Sequence, residues 1–155
     1  MANTNTETSN LADREIISIR TVNFPRQLVF KAWTEPERLA RWWGPKDFRN
    51  SFEEFDLRPG GNWRFVMHGP NGVDYPNHCV FVEIVQPELL IFNHISPVHF
   101  FQVTASFEEV STDKTKVIFR MMFDSAEECG KSRPYIIKGN EENFDRLEEE
   151  LKRVT

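Results

Sequence analysis

Hydrophobic and polar residues alternate along most of the middle of the chain, as in β-strands that bury one face. Residues 101–107 read FQVTASF and residues 117–123 read VIFRMMF, with a hydrophobic side chain at every second position. The same pattern, bounded by turn residues, predicts strands at 14–24, 48–58, 62–68, 75–85, 89–95, 99–110 and 115–123. Short turn sequences join the last six, which predicts an antiparallel meander.

Three other segments carry hydrophobic residues at helical spacing. Two short helices are predicted at 25–33 and 36–43, the second with Thr34 and Glu37 as a capping box and Gly44 as its end. A long C-terminal helix begins with a further capping box, Ser125 with Glu128. Because proline removes a helical hydrogen bond, Pro134 predicts a break or kink in this helix.

The order of these elements predicts an α+β fold. About seven strands form a curved antiparallel sheet, two short helices follow the first strand, and the C-terminal helix is the element long enough to cover the hydrophobic face of the sheet. A curved sheet wrapped around one helix, a helix grip, leaves space between them. The hydrophobic stripe on that helix is narrow and contains Asn140, so we expect incomplete closure and a cavity.

Length and composition indicate the number of domains, the location and the kinds of partner to expect. The 155 residues suit one domain, expected at 13–155 after a disordered polar tail at 1–12. A net charge of −5 gives no indication of a basic surface for nucleic acid. No segment has the features of a secretion signal or a membrane span, so we expect a cytoplasmic protein. Phenylalanine is unusually frequent, with 14 residues, which suits a large core or a pocket for a hydrophobic ligand.

Several longer strings in the chain together resemble one known superfamily. They are FPRQLVFKAWTEPERLARWWGP at 24–45, EFDLRPGGNWRFVMHGPNG at 54–72, LLIFNH at 89–94 and SAEEC at 125–129. The chain resembles the SRPBCC (START/polyketide cyclase/birch-pollen-allergen-like) proteins, and among them the subgroup of homologues of the activator of heat-shock protein 90 ATPase. The resemblance implies a helix-grip fold with a cavity but no single reaction, because members include lipid and hormone carriers, polyketide cyclases, self-sacrificing resistance proteins and co-chaperone domains.

The predicted fold turns one set of side chains towards the cavity. Trp63, Phe65 and Met67 alternate on one strand, and the alternative that they only pack on the C-terminal helix is left open. Either Trp42 or Trp43 is a further candidate for the cavity entrance. The full set of candidate ligand-binding residues is Trp63, Phe65, Met67, His78, Val80, Phe92, His94, Phe101, Val103, Phe119, Met121, Asn140 and Phe144.

Two histidines in this set are weak candidates for catalysis. Folding two strands about Gln86-Pro87 places the even-numbered residues on one face, with His78 and His94 near each other. Two imidazoles in an apolar pocket would have lowered pKa values and could act as general bases or hydrogen-bond a ligand. The alternative is that each bonds to an Asn or Thr at the rim. His68 and His99 lie near turns and are expected to be exposed.

Other chemistry has little support in the sequence. The histidines do not have metal-ligand spacing, and the glycine turns do not lead from a strand into a helix as phosphate loops do, so no metal or cofactor is predicted. Cys79 and Cys129 form no disulfide framework and are expected to be structural. The sequence therefore favours binding of a hydrophobic or amphipathic small molecule. The alternatives are a cyclase, dehydratase or hydrolase-like enzyme in the same cavity, and a co-chaperone in the stress response. A homodimer and a chaperone partner are left open.

Overall fold

The computed structural model describes residues 13–96 and 100–153, and it has the predicted α+β helix-grip architecture. The strands are β1 (Glu15–Val22), β2 (Arg49–Phe55), β3 (Asn62–His68), β4 (Asp74–Val85), β5 (Leu89–Ser96), β6 (Phe101–Ser111) and β7 (Lys114–Phe123). The helices are α1 (Arg26–Thr34), α2 (Pro36–Trp42) and α3 (Ala126–Arg153). The predicted tail at 1–12 and His99 lie outside the described residues.

The seven strands form one antiparallel sheet in the order β1-β7-β6-β5-β4-β3-β2. Strands β2 to β7 are therefore a meander, as the short turns between them predict, and β1 adds to the far side of β7. The two ends of the order, β1 and β2, do not pair with each other, so the sheet is open. Its concave face is covered by the three helices.

The two short helices differ from the prediction in how they meet. Thr34 is the last residue of α1, where its hydroxyl donates to the Phe30 carbonyl over 2.8 Å. Glu35 is the N-cap of α2, without a side-chain hydrogen bond, so the predicted Thr34–Glu37 capping box is wrong. The capping serine of α3 is confirmed, because the Glu128 backbone N–H donates to Ser125 Oγ over 3.1 Å.

Helix α3 continues through Pro134, so the predicted break is wrong, whereas the alternative of a kink stays a prediction. A proline inside a helix leaves one carbonyl without its helical partner, that of the residue four positions earlier. That residue here is Gly130, and both Gly130 and Pro134 are exposed, so water can hydrate the carbonyl. Residues of α3 on both sides of Pro134 line the cavity described below.

The hydrophobic core lies on the concave side of the sheet and is unusually aromatic. Trp33 is at its centre and makes edge-to-face contacts with Trp42, Phe107 and Phe119 at ring-centroid distances of 4.8, 5.6 and 5.6 Å. On the convex side, Ile17 and Ile19 are exposed. Within the described ranges, no helix has both the length and the hydrophobicity needed to span a membrane.

Candidate functional site

A cavity of about 550 Å³ lies between the concave face of the sheet and the first half of α3. Its floor is built by side chains of β3 to β7, its roof by α3, and one end by the chain that follows α2. Lys131 and Tyr135, both exposed, are at its rim. The described lining residues are Trp43, Gly44, Pro45, Phe65, Met67, Asn77, Cys79, Phe92, His94, Phe101, Phe119, Met121, Phe123, Lys131, Ser132, Tyr135, Ile136, Gly139, Asn140 and Asn143.

Most of the candidate residues from the sequence lie at this cavity, although their role in binding stays a prediction. The lining contains Phe65, Met67, Phe92, His94, Phe101, Phe119, Met121 and Asn140. Trp63, Val103 and Phe144 are instead buried outside the lining. Trp63 stacks on Phe65 at a centroid distance of 4.4 Å, so it supports the floor from outside the lining.

The placement of His78 and Val80 at the cavity is wrong. Near the turn, even-numbered residues pair as expected, with Ile84 opposite Leu90. A bulge between Phe81 and Glu83 then shifts the register by one residue and puts Phe81 opposite Phe92. Beyond the bulge the odd-numbered side chains of β4 face the cavity, so Cys79 is opposite His94, while His78 and Val80 point to the convex face.

His78 forms part of a polar cluster on the convex face. Its Nε2 is 2.9 Å from Asn62 Oδ1, which fits the rim alternative better than a cavity role. Partial burial lowers the pKa of His78, and the nearby Arg64 guanidinium lowers it further, against an opposing effect of Glu54. The lowered pKa was expected, but it arises outside the cavity.

Among the described residues, His94 is the histidine that faces the cavity, and its contacts include a ring stack and a hydrogen bond. It stacks on Phe101 with ring centroids 4.5 Å apart and 9° between the planes. Its Nε2 is 2.8 Å from Asn77 Oδ1. The Asn77 amide nitrogen donates to the Tyr75 carbonyl over 2.8 Å, which fixes the oxygen towards His94. Because that oxygen can only accept, His94 Nε2 carries the hydrogen.

The two cysteines are not activated nucleophiles. Cys79 lines the cavity beside His94, but burial strongly raises the pKa of its thiol. Burial also raises the pKa of Cys129, with Asp13 adding to the rise and Arg133 opposing it. Both side chains are therefore thiols at neutral pH, as structural cysteines usually are.

Residues 43–48, called the clamped loop below, close one end of the cavity and are fastened to α3 by Arg146. Its Nη1 donates to the carbonyls of residues 43, 44 and 45 over 3.2, 2.9 and 2.8 Å. Its Nη2 donates to the carbonyls of residues 41 and 48 over 3.0 and 2.9 Å. Gly44 lies in the loop at φ +99°, and a Cβ there would meet Met67 Cε at 2.6 Å. The loop therefore requires glycine at this position and closely contacts the cavity floor.

Two asparagines of α3 supply polar groups to the roof of the cavity. Asn143 Oδ1 accepts from the Gly44 backbone N–H over 3.1 Å. The Asn140 amide nitrogen donates to Ser18 Oγ over 3.1 Å and approaches Met121 Sδ at 3.7 Å. Asn140 and Asn143 are only 7% and 5% exposed. Asn143 was not predicted, although its spacing of three residues from Asn140 puts both on one helix face.

A further cluster lies outside the cavity, on the convex face at β2, β3 and β4. His68 Nε2 is 2.7 Å from Ser51 Oγ, and His68 Nδ1 is 2.7 Å from Asp74 Oδ1. The connectivity is that of a Ser–His–Asp triad. Ser51 is exposed and Asp74 is 63% exposed, so water competes for both hydrogen bonds. His68 is half-buried, not simply exposed as predicted.

Comparison with known proteins supports the resemblance seen in the sequence. Residues 23–152 match the family model described as Activator of Hsp90 ATPase homolog 1-like protein. No curated protein sequence matches the chain.

Solved structures show the same fold. A crystal structure of a protein from Nitrosomonas europaea is 26% identical, with a TM-score of 0.83 over 93% of this chain and 97% of that chain. An NMR structure of a protein from Arthrobacter aurescens is 22% identical, with a TM-score of 0.85 over 93% of this chain and 89% of the other. The AHSA1 protein from Silicibacter pomeroyi is 16% identical, with a TM-score of 0.74 over 91% and 99% of the two chains.

Proposed function

The chain belongs to the family of Activator of Hsp90 ATPase homolog 1-like proteins, and on this basis we propose that it binds a hydrophobic or amphipathic small molecule in the cavity between sheet and helix. The observation that carries the proposal is the cavity itself. A volume of about 550 Å³ lies in the range of small-molecule sites. It is lined mainly by aromatic and other hydrophobic side chains, with a few polar groups on two sides.

The construction of the cavity favours binding over core packing. Phe65 and Phe119, which line the cavity, are each supported by a further aromatic ring. Trp63 stacks on Phe65, and Trp33 contacts Phe119 at a ring-centroid distance of 5.6 Å. The floor is therefore rigid and pre-formed, which lowers the entropy lost on binding. A packed core of this composition would normally fill such a space, because empty volume loses dispersion contacts.

The position of His94 in the cavity lining favours a second function, an enzyme that uses the same cavity. Its ring is the one imidazole in the described lining, and its orientation is fixed by Asn77. A cyclase, dehydratase or hydrolase-like reaction would use it as a general base. If activity on a bound ligand is found, His94→Gln should abolish turnover while binding persists.

Chaperone regulation is the alternative that the family description suggests. It would use the surface of the domain, so substitutions in the cavity would not affect it. Stimulation of a chaperone ATPase that survives Phe65→Arg would support this function in place of ligand binding.

A cytosolic location and a homodimer remain part of the proposal, and fractionation and sedimentation would test them.

The experiment that tests the proposal is native mass spectrometry of protein purified gently from its own host, followed by organic extraction. We expect a small molecule near one equivalent, lost in Phe65→Arg because a charged side chain would project into the hydrophobic cavity. The matched control is Ile17→Arg on the convex face, where the native side chain is 52% exposed. Equal occupancy of all three proteins would mean that the molecule binds elsewhere.

A further inference from the structure

Two asparagine amides on the cavity roof present one donor and one acceptor that the fold itself does not use. The Gly44 N–H can only donate, so it fixes Asn143 Oδ1 towards the clamped loop. No described residue accepts a hydrogen bond from Asn143 Nδ2. Asn143 is 5% exposed and lies in the cavity lining. Its Nδ2 is not among the fully buried unpaired polar atoms of the described residues, so a small polar group can reach this donor.

Asn140 presents the opposite group. Its nitrogen is fixed towards Ser18 and the Met121 sulfur, and a thioether sulfur can only accept. The amide oxygen of Asn140 has no donor among the described residues. Asn140 and Asn143 are three residues apart on one helix face, where Cβ atoms lie roughly 5–6 Å from each other. An acceptor and a donor are therefore neighbours on the cavity roof.

The cavity offers no matching site for a charged group in its interior. Two residues in the described lining can carry a positive charge. Lys131 is at the rim, with its Nζ 3.2 Å from Glu127 Oε1, and His94 already donates its Nε2 hydrogen to Asn77 Oδ1. No aspartate, glutamate or arginine is present in that lining. Because burial of an unpaired charge is strongly unfavourable, a ligand that enters fully must be neutral.

We propose that the ligand is a neutral, flat hydrophobic molecule with one hydrogen-bonding edge that carries both an acceptor and a donor, as a carboxamide or a hydroxy-ketone does. The acceptor bonds to Asn143 Nδ2 and the donor to Asn140 Oδ1. The hydrophobic part lies on the aromatic floor opposite. This inference rests on the proposed function, because it assigns a ligand class to the same cavity.

Three naphthalenes of similar shape test the inference: 2-naphthamide, 2-naphthoate and 2-methylnaphthalene. Their dissociation constants are measured with the purified full chain by fluorescence titration at low micromolar concentrations. We expect the amide to bind about tenfold more tightly than the methyl compound, the effect of two satisfied buried hydrogen bonds. The carboxylate should bind more weakly than the amide, because its charge has no interior partner.

Asn143→Asp gives the matched variant. It keeps an oxygen for the Gly44 N–H and replaces the donor with an acceptor, so the preference for the amide over the methyl compound should disappear. Asn143→Ala removes the donor without adding charge and should have the same effect on the ratio of the two constants. A general loss of packing would weaken both compounds alike and leave that ratio unchanged.

The outcomes separate this inference from the proposed function. If the methyl compound binds as tightly as the amide, or the carboxylate binds most tightly, the ligand class is wrong although the cavity binds. If none of the three binds to the wild type, the proposed function itself fails.

Discussion

Arg146 provides the sharpest test of how the cavity is held open. The substitution is Arg146→Met, which keeps the length of the side chain and removes the guanidinium that donates to five backbone carbonyls. Burial lowers the pKa of Arg146, but arginine stays charged. These are therefore charge-assisted hydrogen bonds, and four of the five are partly buried.

The magnitude follows from these bonds. A hydrogen bond to a charged group contributes roughly 1.5–3 kcal/mol alone, but bonds that share one group are not additive and water reaches some of the carbonyls. We therefore expect the free energy of unfolding to fall by about 3–5 kcal/mol. For a chain of this size, that corresponds to a fall in Tm of roughly 10 °C.

The assay is urea unfolding followed by tryptophan fluorescence, at pH 7. Arg146→Lys should lose about half as much stability, because the ammonium keeps the charge but has three donors instead of five. The control is Arg153→Met in the same helix, whose side chain is 63% exposed and 3.9 Å from Glu150. It should change stability by less than about 0.5 kcal/mol. A loss below about 1 kcal/mol in Arg146→Met would refute the role given to the clamped loop.

Three further predictions concern other polar groups. Arg41→Met should destabilise the fold by about 1.5–3 kcal/mol in the same urea assay, because it removes two hydrogen bonds of 2.8 and 2.7 Å to the nearly inaccessible Glu150 carboxylate, although the Arg41 side chain is itself 39% exposed. A loss like that of a surface pair, under about 1 kcal/mol, would contradict this. The pKa of His78 is below its ordinary value of 6.5 in the folded state, so the unfolded chain binds the proton first and stability should fall as the pH drops from 6.5 towards the folded pKa; NMR titration of the imidazole measures that pKa, and a value above 6.5 would be the wrong sign. Ser51 should react with a fluorophosphonate probe no faster than an ordinary surface serine, because solvent screens its exposed relay; labelling at Ser51 that Ser51→Ala removes would establish a reactive serine instead.

The sequence predicted the strands well because their alternation was clean. Phe65 and Met67 sit on β3, where one period-2 pattern runs without interruption, and both line the cavity. The same reasoning failed for His78. A bulge adds one extra residue to a strand, and nothing in the alternation of β4 marks Val82 as that residue. The prediction therefore assigned the side chains of β4 beyond Val82 to the wrong faces of the sheet.

Other parts of the site depend on contacts between distant segments. Arg146 fastens a loop about a hundred residues earlier in the chain, and no local pattern distinguishes it from the other charged residues of α3. Asn143 is different, because its spacing from Asn140 was visible in the sequence. Its role could have been predicted by asking which helix face contains Asn140.

The most direct test of the central claim uses the methionine methyl groups as reporters. Met67 and Met121 line the cavity, whereas Met122 points to the other face of β7. Protein labelled with ¹³C at the methionine methyls is titrated with 2-methylnaphthalene and followed by NMR. A ligand in the cavity shifts the signals of Met67 and Met121 through the ring current and leaves Met122 unchanged. Saturating shifts at Met122 alone, or none at any of the three, would contradict the account.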